Sequence, residues 1–149
     1  MSGWIEITLK MLLAMFLGGL IGLEREVENK PAGLRTIILV CLASCIYVLA
    51  VALASTGEGA WTSDVDVGRL MSGLAGGVGF LGAGLIMRSE GTVRGLTTAA
   101  AVWAAAAVGF GVGLGLYYLA ILGSILVFVT LRWLDKLEDR WLSSHKDVE

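Results

Sequence analysis

From Leu96 to Leu131 the chain runs for 36 residues without a charged side chain. No other feature restricts the fold so strongly. As one helix this run would extend about 54 Å, far beyond a hydrocarbon core of about 30 Å that about 20 residues suffice to cross. It is the right length for two membrane spans joined by a tight turn, and the cluster Gly109, Gly111, Gly113 and Gly115 supplies the break.

Apolar runs also occupy Trp4 to Leu23, Leu34 to Ala54 and Leu70 to Met87, and the long run divides into Leu96 to Val112 and Leu116 to Leu134. With 149 residues, 56% of them hydrophobic and a mean hydropathy of +0.81, there is room for one membrane domain and little else. The expected architecture is an all-α integral membrane protein of about five transmembrane helices. Residues 1–134 form the membrane domain and 135–149 a cytoplasmic amphipathic tail; after Leu131, Trp133, Leu134, Leu137 and Trp141 alternate with Arg132, Asp135, Lys136, Asp139 and Arg140, as in a helix emerging along the inner interface. The first run lacks a preceding basic region and a following A-x-A site, so it reads as a span and not as a cleaved leader. Within it Glu6 and Lys10 stand at i, i+4 spacing, where they can pair or snorkel.

Charge placement orients the bundle. The loop after the first helix carries Arg25, Lys30 and Arg35, the loop after the third Arg88 and Arg94, and the tail Arg132, Lys136, Arg140 and Lys146: nine of the eleven basic residues. The loop between helices two and three has Glu58, Asp64 and Asp66 against Arg69 alone. The positive-inside rule then puts the amino terminus outside and the carboxyl terminus in the cytoplasm, with Trp4, Trp61, Tyr117 and Tyr118 at the outer interface and Trp133 and Trp141 at the inner one. Arg69 is expected to pair with Asp66.

Composition also narrows the function. A net charge of -2 gives no reason to expect nucleic acid. Cys41 and Cys45, four residues apart in an apolar run, share a helix face as small buried residues and cannot bridge to each other. The one histidine, His145, lies in the tail, and no nucleophile and base present themselves, so no enzyme and no cofactor are expected.

Gly18 and Gly22 in helix one, and Gly73 and Gly77 in helix three, have GxxxG spacing, continued by Ala75, Gly79 and Ala83. Backbones can approach closely at such sites, either within one protomer or between two. Gly77 to Gly82 matches G-x-G-x-x-G, but no strand precedes it and no acidic residue follows at the required distance, so it is not a dinucleotide site. Gly79, Gly82 and Gly84 either pack closely or let the helix bend and expose carbonyls. At the first loop, charges abut an apolar span, a costly arrangement unless they reach headgroups or one another. Arg25, Arg35 and Arg94 with Thr97 and Thr98 form a polar inner-face cluster around Glu24: a salt-bridged structural knot, or a site in which Glu24 and Glu26 supply hard oxygen ligands for a partly hydrated Mg2+. Thr97 and Thr98 also have the bland alternative of bonding a carbonyl one turn back.

Three blocks resemble the MgtC/SapB family of bacterial membrane proteins. They are Gly22-Leu23-Glu24-Arg25-Glu26 with Lys30-Pro31-Ala32-Gly33-Leu34-Arg35-Thr36, Gly79-Phe80-Leu81-Gly82-Ala83-Gly84-Leu85-Ile86, and Val93-Arg94-Gly95-Leu96-Thr97-Thr98-Ala99-Ala100 with Trp103. The blocks stand in family order and span most of the membrane region. The resemblance implies a multi-pass protein of the bacterial plasma (inner) membrane, linked to magnesium limitation and often to survival inside hosts. Family members have been read as magnesium transporters and as regulators of membrane machines such as ATP synthase. Some carry an ACT-like domain after the last helix; this sequence stops at Glu149, so functions of that domain are not carried over.

The leading expectation is a homodimeric divalent-cation transporter or channel, since five short helices enclose little volume. The alternative is a non-transporting regulator that binds another membrane complex, favoured by the lack of an acidic residue at mid-membrane.

Overall fold

The computed structural model describes the backbone of residues 2–56, 65–89 and 92–146, with side chains at all of these except 2, 56, 88–89 and 134–146. Five helices follow one another: α1 (Ser2–Val27), α2 (Leu34–Thr56), α3 (Val67–Leu85), α4 (Leu96–Leu114) and α5 (Tyr117–Lys146). Three of them are long and apolar enough to cross a membrane, over Gly3–Val27, Leu34–Ser55 and Leu96–Leu114, and α5 contributes the apolar segment Tyr117–Trp133. Arg69 and seven glycines dilute the hydropathy of α3. The anticipated all-α membrane architecture is therefore present. Trp61, Glu58, Asp64 and the side chains of the anticipated tail, Trp141 included, lie outside the described residues. The expected boundary at 134–135 falls within the continuous α5.

The core forms where α1, α2 and α4 meet, with α5 packed on α1 and α4. Its side chains recur at helical spacing: Ala14, Leu17 and Ile21 from α1, Ile37, Cys41, Cys45 and Val48 from α2, and Ala101, Val102, Ala105 and Val112 from α4. Small residues set the helix separation. A Cβ on Gly18 would stand 2.7 Å from the Cβ of Cys41, and one on Gly22 would stand 2.9 Å from the Cα of Leu34, so this GxxxG pair holds α1 against α2 inside one protomer. Ser124 of α5 donates its hydroxyl to the Leu17 carbonyl of α1 at 3.3 Å, satisfying a polar group that is completely buried.

The anticipated turn across Gly109 to Gly115 is much shorter than the glycine cluster suggests. Helix α4 continues to Leu114, and Gly115 alone turns the chain, at φ +82°. The amides of Gly115 and Leu116 reach back to the carbonyls of Val112 and Gly111 at 3.0 and 2.9 Å, a Schellman ending that needs a left-handed residue. Gly109 and Gly113 serve a different end: they face α2, where a Cβ on Gly109 would collide with the Cys41 carbonyl and one on Gly113 would meet Val48 Cγ1 at 2.5 Å. Glycine clustering in this run marks a packing seam as well as a turn.

Helix α3 packs at the edge of the core, adding Val78 to it and joining Leu70 to Val48 and Phe110 in a smaller cluster. It packs on α4 through Leu70, Val78 and Gly82, the last against Ala99. Asp66 caps it, its carboxylate accepting the Arg69 amide at 2.9 Å. The helix is regular throughout despite its glycines. Beyond it, a short antiparallel hairpin pairs β1 (Met87–Ser89) with β2 (Thr92–Arg94) in the register Met87 to Arg94 and Ser89 to Thr92. Nothing in the apolar pattern signals strands of three residues.

Candidate functional site: the polar end of α1 and the open faces of α3

Helix α1 ends in a left-handed residue, Asn29 at φ +53°, with the Asn29 and Lys30 amides bonded to the Glu26 and Arg25 carbonyls. Within α1, Glu24 and Arg25 follow Leu17 and Ile21 at helical spacing and so continue the buried face. Both are buried, at 2% and 0% exposure, and Arg25 Nε donates to Glu24 Oε2. A buried carboxylate needs such a partner, because its desolvation otherwise amounts to several kcal/mol. The second oxygen, Glu24 Oε1, is buried with no hydrogen-bond partner among the described residues.

Glu26 points elsewhere. It is exposed, and its Oε2 accepts the Leu34 amide at 2.9 Å, so a side chain of α1 caps α2 from across the loop. Gly33 makes that possible, since a Cβ there would overlap the Glu26 carboxylate. The Gly33 carbonyl in turn accepts the Ile37 amide at 3.1 Å, starting α2. Glu24 and Glu26, the two expected metal ligands, thus lie in different environments, one paired in the interior and one capping a helix at the surface. No group of three or more His, Cys, Asp or Glu side chains suited to holding a metal occurs among the described residues.

The rest of the expected cluster divides by exposure. Thr98 is buried, as Arg25 is, whereas Arg35, Arg94 and Thr97 are exposed. Arg94 ends the hairpin, and Gly95 beside it sits at φ +88° so tightly against Leu85 that a Cβ would strike the Leu85 carbonyl. The end of α3 is thereby fixed to the start of α4.

One buried charge is less apparent from sequence. Lys10 is 6% exposed and pairs with Glu6 at 2.8 Å. Its i, i+4 spacing foretold the pair but not that the lysine would face the bundle.

The glycines of α3 have the opposite surroundings from those of α1. A Cβ on Gly76, Gly77, Gly79 or Gly84 would meet nothing within 4 Å, and one on Gly73 would meet only the Tyr47 hydroxyl, at 3.8 Å. Phe80, on the same helix, is 81% exposed. Of the two GxxxG pairs, then, Gly18 and Gly22 are used within the protomer, while Gly73 and Gly77 stay open. A groove of about 540 Å3 separates α3 from α2, and another of about 310 Å3 lies between α3 and α4, with Leu116 and Leu119 at its end.

The sequence profile of the MgtC family matches residues 11–140. Protein SrpB of Synechococcus elongatus is 37% identical over 143 residues, covering 91% of this chain and 78% of its own length. Protein SapB of Bacillus subtilis is 37% identical over 131 residues, covering 87% of this chain and 56% of its own. Protein MgtC of Salmonella typhimurium is 40% identical over 119 residues, covering 80% and 48% respectively. The chain therefore spans about half the length of the SapB and MgtC relatives. No solved structure matches. Profile and relatives agree with the three sequence blocks, two of which build the Glu24–Arg25 end of α1 and the Gly95 joint: this chain belongs to the MgtC family.

Proposed function

We propose that this protein is a non-enzymatic regulator in magnesium homeostasis, embedded in the bacterial plasma membrane, that acts by docking side by side with another membrane complex. One observation carries the reading: Gly76, Gly79 and Gly84 on α3, outside the groove toward α2, are open, with nothing of the protomer within 4 Å of a Cβ at any of them. Glycine in a helix interior costs roughly 0.5–1 kcal/mol relative to alanine, so three such open glycines are a burden on the isolated protomer. In lipid they supply what association requires, a surface on which a second helix can come to van der Waals contact. The Glu24–Arg25 pair acts in this reading as a structural pin. The amino terminus is outside and the carboxyl terminus in the cytoplasm, following the distribution of basic residues.

A second reading is supported by Glu24 Oε1, the buried oxygen that accepts no hydrogen bond among the described residues. Here the same α3 surface joins two copies into a homodimer, and Glu24, with Glu26 at the loop, handles a divalent cation such as Mg2+ as ligand or transported ion. Two experiments separate the readings. Crosslinking in native membranes recovers one dominant foreign membrane protein for a regulator, and self-dimers alone would count against it. Purified protein in liposomes loaded with a Mg2+ indicator gives no flux above empty liposomes for a regulator; flux that falls on Glu24→Gln would favour transport.

A further inference from the structure

The groove between α2 and α3 has a polar opening at one end. Along its length it is apolar, walled by Leu39 and Ala43 of α2 and by Gly77 and Leu81 of α3. Ser44, its hydroxyl already donated to the Val40 carbonyl at 2.8 Å, adds no free donor to the wall. At Tyr47 and Gly73 the groove opens into a wider cavity of about 710 Å3 lined by Asp66, Arg69 and Ser72. Leu39 and Tyr47 are eight residues apart on α2, so the apolar part is about 12 Å long, close to the ~15 Å hydrocarbon depth of a single leaflet.

We infer that this groove holds one acyl chain of a bilayer phospholipid with a zwitterionic, primary-amine headgroup, of the phosphatidylethanolamine type. The charges at the opening favour this occupant. Arg69 is exposed, and no carboxylate lies within ion-pair distance of it among the described residues, which suits it to a phosphate. Asp66 is exposed and commits Oδ1 to capping α3; its carboxylate lines the opening with a charge that a primary ammonium complements. The Tyr47 hydroxyl stands between the headgroup region and the chain, a position that suits an amphipathic ring. An anionic headgroup without an amine would satisfy Arg69 but meet Asp66 unfavourably. The glycines give the chain its room: at Gly73 and Gly77 side chains would occupy the same space.

The test is native mass spectrometry of the purified full-length chain in detergent, titrated with palmitoyl-oleoyl phosphatidylethanolamine or phosphatidylglycerol. The wild type is expected to bind the amine lipid more tightly by about threefold or more, the scale of one exposed ion pair. Asp66→Asn keeps a capping side chain and removes the charge, so it should erase that preference while leaving the chain folded. Gly77→Leu should fill the groove and abolish tight binding of both lipids, and Ala43→Leu fills it from the opposite wall should the first variant fold poorly. Equal affinity for both lipids in the wild type would overturn the inference. So would unchanged lipid binding in Gly77→Leu and Ala43→Leu, or a loss of self-association in those variants with lipid binding intact, which would assign the groove to a second copy.

Discussion

Gly109 of α4 lies against the Cys41 carbonyl of α2 so closely that no side chain fits between them. This backbone contact, repeated one turn on by Gly113 against Val48 and the Cys45 carbonyl, sets the distance between the two helices at the centre of the core. Gly109→Ala and Gly113→Ala must push α4 away from α2 and should each destabilise the protein by about 3 kcal/mol. Gly76→Ala, on the open face of α3, should instead stabilise the monomer by roughly 0.5–1 kcal/mol. Thermal unfolding in a single detergent, monitored by circular dichroism, compares the three; equal effects at 76 and 109 would contradict the assignment of one to packing and the other to an open surface.

The buried pair of Glu24 and Arg25 makes a signed prediction. Removing one partner strands a buried charge, so Arg25→Met and Glu24→Met should each cost about 3–5 kcal/mol. The double variant should recover much of that loss, because neither charge then needs burial. A double variant as unstable as the sum of the singles would mean that each residue is held by other contacts.

Glu26 and Gly33 form a second testable couple. Glu26→Ala removes the cap on the Leu34 amide and should cost about 1 kcal/mol, whereas Glu26→Gln should retain most of the stability. Gly33→Ala displaces the same carboxylate, so combining it with Glu26→Ala should add little beyond Gly33→Ala alone. Full additivity in that cycle would argue against a shared contact.

The joint between α3 and α4 rests on Gly95. Any side chain there is strained by φ +88° and collides with the Leu85 carbonyl, so Gly95→Ala should destabilise by about 2 kcal/mol or more and loosen α3 from α4. Faster protease cleavage near the hairpin, with the α1, α2 and α4 core intact, is the expected signature.

Much of this organisation is legible in the sequence because lipid leaves few options. A charge-free run such as Leu96 to Leu131 can only be divided into helices, and the runs recover all five. What the pattern cannot distinguish is a glycine that turns the chain from one that faces another backbone: Gly109, Gly113 and Gly115 look alike in one dimension, yet only Gly115 has a positive φ. The candidate site is similar. Spacing put Glu24 and Arg25 at the membrane edge, but adjacent residues on a helix point in different directions, so their pairing is not a periodicity signal. The Glu26 cap spans eight residues through a loop and requires the fold to be known. The two GxxxG pairs read identically, and only tertiary structure reveals that Gly18 and Gly22 are used while Gly73 and Gly77 are open.

In the proposed function the open face of α3 meets a different membrane protein. A photo-crosslinking amino acid placed at Gly76, in cells grown at limiting magnesium, tests it most directly, with Phe16 as a second position because that residue is 70% exposed on α1. One dominant foreign membrane protein is expected from position 76 and none from position 16. Capture of self-dimers alone from position 76, or the same products from both positions, would contradict it.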